Sequence, residues 1–468
     1  MFSYLEASRL LGDAPVFPEL SLTIRSLSID TRSLQPGDFF VAFKGDHSDG
    51  HAFLATAFEK GASGALVAAH QKDAVLALLR DAKVNVRNLI PVMDPQLAMT
   101  TLAAAYRKTL PVRVIGITGS VGKTTTKEFL AYLLRQKFSV LATQGNLNNH
   151  LGVPIMLSRL DASHQFGVME MGASASGEIR HLSELAAPSG GILTPIGPAH
   201  LAGFGNLENV YRTKLELADS LKSGEPLVVL GDDAKLLEMI RQKGRKAVTV
   251  GYAENSDYQI SDVKTVSGEV SFLLNRRGPF SFPGQAAFLA LNAGLAMAMA
   301  RNLGLAWEEI PLKWDDVSFA SGRFRETMLA CGVRVIDDSY NANPVSFANA
   351  LEAFQSLSVS GKKVVVFADM LELGADEERF HLDLGRKIAA SGIDLVFAYG
   401  KLARFSVDAV AASGSLCIAR HFEDRDKTRE ALEEVLNVGD AVLFKGSRSM
   451  HVEKILDGIR HTTFLAHP

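Results

Sequence analysis

Apolar runs alternate with helical periodicity over the middle of the chain. The apolar runs predict strands over residues 112–117, 139–142, 167–170, 191–195, 227–230 and 247–250. Strands separated by helices favour a parallel sheet with helices on both faces. Residues 257–282 interrupt this rhythm with short β-like runs. They indicate a β insert beside the main sheet.

A second alternating series begins near residue 333. It predicts helices such as 345–357 and 377–390, and strands over 333–337, 363–368, 395–399, 418–421 and 441–445. The series has no glycine-rich phosphate loop of its own. This pattern is typical of a separate, Rossmann-like α/β domain.

The first 110 residues mix short strands and helices. Residues 38–43 alternate as a strand, residues 52–60 have helical spacing, and residues 93–110 predict a connecting helix. The chain is therefore predicted to be an α/β protein of three domains. They are a small mixed α/β domain over 1–92, a central parallel-sheet domain over 93–318 and a Rossmann-like domain over 319–468.

Length and composition narrow the class of protein. The 468 residues suit about three domains. A formal net charge of −3 provides no broad basic field for nucleic acid or anionic lipid. The two cysteines, Cys331 and Cys417, exclude a disulfide framework and fit a reducing cytosol. The start of the chain lacks signal-peptide features, and the apolar run 286–303 suits a buried helix better than a membrane span. A cytoplasmic monomer that is not a membrane protein is expected.

The stretch TGSVGKTT at residues 118–125 carries the strongest chemical signal. It lies between an apolar strand and a helix-forming run, where glycines let backbone N–H groups turn toward an anion at the helix N-terminus. Lys123 supplies a positive charge for phosphates, and the hydroxyl of Thr124 suits Mg²⁺. The first glycine of the common phosphate-binding loop is replaced by Ile117. The chain is predicted to bind a nucleoside triphosphate through a tight version of this loop.

Polar residues also stand at the ends of other predicted strands. Glu170 ends the apolar strand VMEMG, at the sheet edge where a carboxylate can hold Mg²⁺. His200 follows another strand and is either a ligand or a structural histidine. Lys214 and Glu216 are predicted to lie on the next helix. They either contribute to the site or belong to a solvated face of that helix. In the C-terminal domain, the strand ends IDDSYNANP (336–344), ADMLELG (368–374) and KGSR (445–448) favour a site for an anionic ligand.

Together these motifs resemble the Mur ligases, ATP-dependent amide-forming enzymes of peptidoglycan synthesis. The resemblance spans nearly the whole chain. It rests on IDTRSLQPGDFFVAFKGDHSDGHAF (29–53), TGSVGKTTTKEF, TQGNLNNHLGVP (143–154), MEMGAS, GPAH, SGRFRE (321–326), DDSYNANP, MLELG and KGSRSMHVE. Within the family the chain looks most like the members that join D-alanyl-D-alanine to UDP-N-acetylmuramoyl-tripeptide. The resemblance implies an acyl-phosphate mechanism that uses ATP.

The resemblance also implies roles for individual residues. The ATP phosphates are held by Gly119, Ser120, Val121, Gly122, Lys123, Thr124 and Thr125. Thr124 and Glu170 share one Mg²⁺, His200 helps to hold a second, and Lys214 is carbamylated by CO₂ to give a metal-binding group. Arg323 reaches the γ-phosphate, Asp338 contacts the nucleotide and Asn292 lies near the adenine. The catalytic set implied is Lys123, Glu170, His200, Lys214 and Arg323.

Substrate contacts follow from the same resemblance. Thr31, Arg32 and Asp49 would hold the uridine nucleotide. The muramoyl-peptide path would be lined by Asn146, Asn148 and Asn149. The remaining substrate contacts are expected from Lys445, Ser447 and Arg448.

One departure from the family pattern affects the adenine site, and three alternative assignments stay open. The family commonly has His-Asn after a Pro-Gly, but here Pro283-Gly284 is followed by Gln285-Ala286-Ala287, so the adenine contacts are altered. Sister ligases that add the third amino acid of the peptide usually carry an Asp-Asn-Pro-Arg box, which this sequence lacks. Folylpolyglutamate synthase shares the phosphate loop but not this N-terminal segment. A nucleotide-dependent scaffold would keep the loop without needing Glu170, His200, Lys214 and Arg323 together.

Overall fold

The structure is a computed structural model that describes residues 3–12, 23–46, 48–84 and 88–459. The predicted N-terminal and C-terminal domains also include residues that lie outside these ranges. Within them, no helix has both the length and the apolar character needed to cross a bilayer.

The N-terminal part is a small parallel sheet with helices against it. Its strands are β1 (Leu27–Ser28), β2 (Phe39–Val41), β3 (Gly64–Ala68) and β4 (Leu89–Val92), hydrogen-bonded in that order. Its helices are α1 (Tyr4–Leu11), α2 (Leu54–Glu59), α3 (Lys72–Asp81) and α4 (Pro95–Thr109). The helix predicted over 52–60 begins as a 3₁₀ turn, Gly50–Phe53. Asp94 caps α4 by accepting from two backbone N–H groups, and Pro95 occupies its first turn.

The central part is built on a nine-stranded sheet. Its strands are β5 (Arg113–Thr118), β6 (Val140–Ala142), β7 (Phe166–Glu170), β8 (Gly190–Leu193), β9 (Leu227–Leu230), β10 (Val248–Gly251), β11 (Tyr258–Val266), β12 (Glu269–Leu274) and β13 (Arg277–Pro283). The order is β13-β12-β11-β10-β9-β8-β5-β7-β6. Strands β5 to β11 run parallel to one another, whereas β12 pairs antiparallel with both β11 and β13. The predicted insert over 257–282 is therefore an extension of the main sheet.

Helices cover both faces of this sheet. They are α5 (Lys123–Arg135), α6 (Gly152–Ser158), α7 (Glu178–Ala186), α8 (Leu201–Phe204), α9 (Leu207–Ser220), α10 (Ala234–Gln242) and α11 (Leu289–Asn302). Helix α11 packs with α5 on one face, and its Ala-rich sequence is buried almost all round. Helices α6, α7 and α9 share a second core with α4 and the N-terminal sheet, so the two parts are packed together.

The C-terminal part is a six-stranded sheet of Rossmann type. Its strands are β14 (Arg325–Met328), β15 (Arg334–Asp338), β16 (Lys363–Ala368), β17 (Leu395–Tyr399), β18 (Ile418–Phe422) and β19 (Ala441–Lys445), in the order β14-β15-β19-β16-β17-β18. Only β14 is antiparallel among them. The helices are α12 (Pro344–Gln355), α13 (Glu377–Ala389), α14 (Ala403–Ala412), α15 (Arg425–Glu433) and α16 (Glu453–Ile459). The α/β fold class predicted from the sequence is confirmed.

Candidate active site

The phosphate-binding loop is shaped by close backbone approaches at two glycines. Gly119 has φ +150°, and a Cβ there would lie 2.0 Å from Oγ1 of Thr194. Gly122 has φ +86°, and a Cβ there would lie 2.4 Å from Oδ1 of Asn292. Neither position accommodates a side chain, so glycine is required at both. Helix α5 begins at the next residue and points its N-terminus at the loop.

The residue that replaces the usual first glycine is part of the sheet. Ile117 is fully buried in β5 and pairs with Glu170 on one side and Ile192 on the other. The strand therefore continues to Thr118, and the loop is confined to the residues after it. This explains the short spacing seen in the sequence.

Lys123 folds back over the loop. Its Nζ donates to the backbone oxygen of Gly119 at 2.8 Å and to that of Ser120 at 3.4 Å. Burial lowers the pKa of Lys123, and the nearby carboxylate of Glu170 opposes this shift. An anion placed in the loop would replace the carbonyl oxygens as the partner of this cation.

Glu170 presents one unpaired carboxylate oxygen. It ends β7 with 2% exposure, and its N–H donates to Oγ1 of Thr143 at 2.9 Å. Asn148 donates to Oε1 at 2.7 Å, while Oε2 is buried without a hydrogen-bond partner among the described residues. A buried carboxylate oxygen without a partner is costly, and a cation would satisfy it.

Lys214 and Glu216 are buried, so their alternative interpretation as a solvated helix face is wrong. Both belong to α9, with exposures of 2% and 7%. Glu216 accepts from the N–H groups of Gly177 and Arg180, at 3.0 and 2.9 Å, and so caps the start of α7. Lys214 reaches the backbone oxygen of Ala173 at 3.4 Å. Burial, with the cation of Lys123 next in importance, lowers the pKa of Lys214 to about 7.

His200 stands at the start of α8, between the central and C-terminal parts. Its Nδ1 pairs with the carboxylate of Glu372. Burial lowers the pKa of His200, and the negative charge of Glu372 opposes that shift. The histidine thus links the strand end after β8 with the strand end after β16.

The C-terminal part contributes Arg323, Asp338 and Lys445. Arg323 donates to Oγ1 of Thr124 at 3.4 Å, and its Cζ lies 3.9 Å from the ring centroid of Tyr340. Its Nε is buried without a partner among the described residues. Lys445 is 1% exposed and pairs with Asp338. Burial raises the pKa of Asp338 and lowers that of Lys445, while their mutual attraction opposes both shifts.

These groups line one cavity of about 730 Å³, here called the loop cavity. The sequence-predicted residues on its wall are Gly119, Ser120, Val121, Gly122, Lys123, Thr125, Asn148, Asn149, Glu170, His200, Lys214, Asn292, Arg323, Asp338 and Lys445. Thr124 is 8% exposed beneath the loop. The cavity is formed jointly by the carboxyl ends of the central and C-terminal sheets, where open α/β sheets bind ligands.

Asn292 faces the phosphate loop. It approaches Gly122 closely, and Oγ1 of Thr126 donates to its Oδ1 at 3.4 Å. Beside it the cavity wall is apolar and includes Phe288 and Phe324, whose rings meet edge to face with centroids 5.7 Å apart. Sequence reasoning missed these two rings. The sequence signal that could have found them is that Phe288 directly follows Gln285-Ala286-Ala287, where the family's polar His-Asn pair is missing.

A second cavity of about 1240 Å³ lies between the N-terminal and central parts and is called the N-terminal cavity. Arg32, Asn146 and Asn149 line it, and Asn149 lines both cavities. Arg32 is held by the carboxylate of Asp30 on its own turn. The two cavities therefore share Asn149 as a wall residue.

Four of the sequence-predicted substrate residues lie outside both walls. They are Thr31, Asp49, Ser447 and Arg448. Asp49 caps the 3₁₀ turn Gly50–Phe53 and pairs with His51 at 2.6 Å. Ser447 accepts from the N–H of Leu371 at 2.8 Å and is 5% exposed. Their substrate roles remain predictions, and the contacts seen here are within the protein.

Comparison with known proteins covers all three parts. The model "Mur ligase family, catalytic domain" matches residues 23–107, "Mur ligase middle domain" matches 117–300, and "Mur ligase, glutamate ligase domain" matches 322–448. The chain is 34% identical to the UDP-N-acetylmuramoyl-tripeptide--D-alanyl-D-alanine ligase of Bacillus subtilis, over 92% of each chain. It is 32% identical to the Escherichia coli protein of the same name, over 94% of each chain.

Solved structures agree with this. MurF from Acinetobacter baumannii superposes with a TM-score of 0.83 at 27% identity, covering 98% of this chain and 99% of that one. MurF ligase from Thermotoga maritima, in complex with ADP, superposes with a TM-score of 0.77 at 29% identity, covering 94% of this chain and 98% of that one. The matched regions include the phosphate loop and all three sheets. The chain belongs to the Mur ligase family.

Proposed function

We propose that this chain is an ATP-dependent ligase that joins D-alanyl-D-alanine to UDP-N-acetylmuramoyl-tripeptide, giving the pentapeptide product, ADP and phosphate. The loop cavity carries this proposal, because it brings a phosphate-binding loop, Glu170 and Lys214 against Arg323 of another domain. The dipeptide-adding specificity is supported by the named relatives at 34% and 32% identity.

The reaction takes place in two steps. A carboxylate oxygen of the tripeptide attacks the γ-phosphorus of ATP, the bond to the β-phosphate oxygen breaks, and ADP leaves. The amine of D-alanyl-D-alanine then attacks the acyl carbon, phosphate leaves and the nitrogen loses a proton. Because an anion attacks an anion, Lys123 and Arg323 are needed to offset charge on the phosphoryl oxygens. The contacts of Arg323 with Thr124 and Tyr340 place the guanidinium beside the loop.

The residues of the loop cavity fit Mg²⁺. Nucleotide-bound Mg²⁺ is usually held by one or two carboxylates together with phosphate oxygens. The unpaired Oε2 of Glu170 is one such oxygen, and the hydroxyl of Thr124 lies at the start of α5. Glu170 and Thr124 would hold one ion, with His200 and, once it is carbamylated, Lys214 contributing to a second. Mg²⁺ would neutralise phosphoryl charge during transfer.

The burial of Lys214 and its lowered pKa support carbamylation of this side chain. CO₂ reacts with a neutral amine to give a carbamate and a proton, and a pKa of about 7 leaves much of the amine neutral at physiological pH. The product carries a negative charge, which the cation of Lys123 favours. A ¹³C NMR spectrum recorded with labelled bicarbonate should show a carbamate signal that Lys214→Ala removes. A Lys214→Ala enzyme with normal turnover would contradict this role.

The adenine has an apolar wall available. Phe288 and Phe324 line the loop cavity near Asn292, and aromatic rings stack on any nucleobase. The UDP part of the second substrate would occupy the N-terminal cavity. Its peptide would pass Asn149 to reach the phosphate loop, since that residue lines both spaces.

The decisive experiment measures phosphate release from ATP and Mg²⁺ with UDP-N-acetylmuramoyl-tripeptide, with and without D-alanyl-D-alanine. Turnover that needs both substrates, with a pentapeptide product by mass spectrometry, is the expected result. Turnover with the dipeptide precursor and a single diamino acid would establish a sister ligase instead. Turnover with a folate and glutamate would establish a folylpolyglutamate-synthase-like enzyme, and no dependence on either would overturn the ligase proposal.

A further inference from the structure

A loop of the C-terminal part reaches the central part at His200. The loop follows β16, and Glu372 makes two hydrogen-bonding contacts to the central part. The Glu372 carboxylate pairs with Nδ1 of His200, and the Glu372 backbone oxygen accepts from the N–H of Ala202 at 3.0 Å. A single residue of one domain thus holds both the side chain of His200 and the first turn after it.

This pairing decides which ring nitrogen of His200 is available. An ionised carboxylate only accepts hydrogen bonds, so the proton of a neutral imidazole is on Nδ1. Nε2 then keeps its lone pair, and within the described part of the chain it makes no hydrogen bond. The ring lines the loop cavity together with Lys214 and Glu170. Metal-binding histidines usually have this arrangement, with one nitrogen donating to a carboxylate and the other binding the ion.

Stability does not account for the contact. The side chains of His200 and Glu372 are 35% and 60% exposed, and a hydrogen bond or ion pair open to solvent contributes about 1 kcal/mol or less. Glu372 also has φ +64°, a left-handed conformation that non-glycine residues seldom adopt. The neighbouring Leu371 is tied by its N–H to buried Ser447. The surrounding loop therefore holds Glu372 in an unfavourable backbone conformation that brings its carboxylate to His200.

We propose that Glu372 is a positioning residue that the C-terminal domain supplies to His200, so that the second Mg²⁺ site is complete only when that domain is docked. This inference rests on the proposed function for the identity of the metal. The contact between Glu372 and His200 would couple domain docking to phosphoryl transfer. The docked position that completes the metal site is also the one that places Arg323 beside Thr124.

The test measures metal binding directly. Full-length enzyme with a methylene-bridged ATP analogue is titrated with Mn²⁺ and followed by electron paramagnetic resonance. Spin-echo modulation from ¹⁴N reports the histidine as a ligand. The wild type should show this modulation, and His200→Ala should lose it. Glu372→Ala should weaken Mn²⁺ binding at the histidine site about 10-fold or more. Glu372→Gln should restore most of the affinity, because its amide oxygen still accepts from Nδ1.

Glu378→Ala is the matched control, since Glu378 is an exposed carboxylate on the adjoining helix α13. It should bind Mn²⁺ as the wild type does. Wild-type Mn²⁺ affinity and ¹⁴N modulation in Glu372→Ala would overturn the inference. So would equal losses of metal-free nucleotide affinity in Glu372→Ala and Glu372→Gln, which would indicate a purely structural role. No muramoyl peptide or dipeptide is present, so failure of the ligase assignment would be seen separately, in the turnover assay.

Discussion

The two cavities that share Asn149 differ in how they hold particular charged groups. In the loop cavity, Glu170, Lys214 and Lys445 are at most 2% exposed and are fixed by partners on other elements. In the N-terminal cavity, the side chain of Arg32 is 88% exposed and pairs with Asp30 two residues away. These three groups are buried and held by the tertiary fold, whereas Arg32 is solvated and held locally.

The difference suits the role proposed for each cavity. Charges act more strongly where water is excluded, which suits groups that stabilise charge developing during phosphoryl transfer. Exposed charges interact weakly and exchange partners easily, which suits reversible binding of a large, hydrated nucleotide sugar. Substitutions in the loop cavity should therefore reduce kcat, and those in the N-terminal cavity should mainly raise KM.

The largest effect is expected for Lys123→Met. Removing this buried cation should lower kcat for phosphate release about 1000-fold, as for other groups that contact charge in a transition state. The unfolding midpoint should not fall, because burial already disfavours the charged lysine and lowers its pKa. Retention of more than a tenth of the wild-type kcat would show that the loop cavity does not work by buried charge.

Arg323→Ala should lower kcat about 100-fold or more, since an arginine that reaches the γ-phosphate is a major part of transition-state stabilisation. Arg325→Ala is its matched control, because Arg325 is an exposed arginine two residues further along. It should keep wild-type kinetics. Equal losses in the two variants would mean that general charge, and not position, explains the effect.

Carbamylation of Lys214 should depend on pH near neutrality. The pKa of Lys214 is about 7, so the fraction of neutral amine should rise about tenfold between pH 6 and pH 8. At a fixed, limiting concentration of dissolved CO₂, the ¹³C carbamate signal should increase over this range. A rise of about 100-fold over this range, as for a lysine of ordinary pKa, would contradict the lowered pKa.

Phe288→Ala should raise the KM for ATP about 5-fold, the loss of roughly 1 kcal/mol of stacking against a base. Phe288→Tyr keeps an aromatic face and should behave as the wild type. An unchanged KM in Phe288→Ala would mean that this wall does not contact the nucleotide.

The smallest effect is expected in the N-terminal cavity. Arg32→Ala should raise the KM for the UDP substrate about 3-fold with kcat unchanged, since a solvent-exposed charge contributes about 1 kcal/mol or less. Arg9→Ala provides the control, because Arg9 is exposed on α1 and lies outside both cavities. A large fall in kcat for Arg32→Ala would remove the distinction between the two cavities.

Much of the architecture was readable from residue patterns. The strands predicted over 227–230, 363–368, 395–399 and 441–445 have the observed bounds. Each is a short apolar run between helical segments. A strand that is buried on both faces is apolar at nearly every position, so it is easily recognised in the sequence. Boundaries shifted where turns and caps decide them, as at the start of α2, where Asp49 first stabilises a 3₁₀ turn.

By itself the sequence determined the phosphate loop, because that loop depends on consecutive residues and on local backbone conformation at Gly119 and Gly122. Only the tertiary structure decided which of the other candidate residues are buried and which partners they pair with. It buried Lys214, paired Asn148 with Oε1 of Glu170, and brought Glu372 to a histidine 172 residues away. The physical reason is that burial and pairing are properties of surfaces packed together from distant segments, whereas backbone preferences belong to the residues themselves.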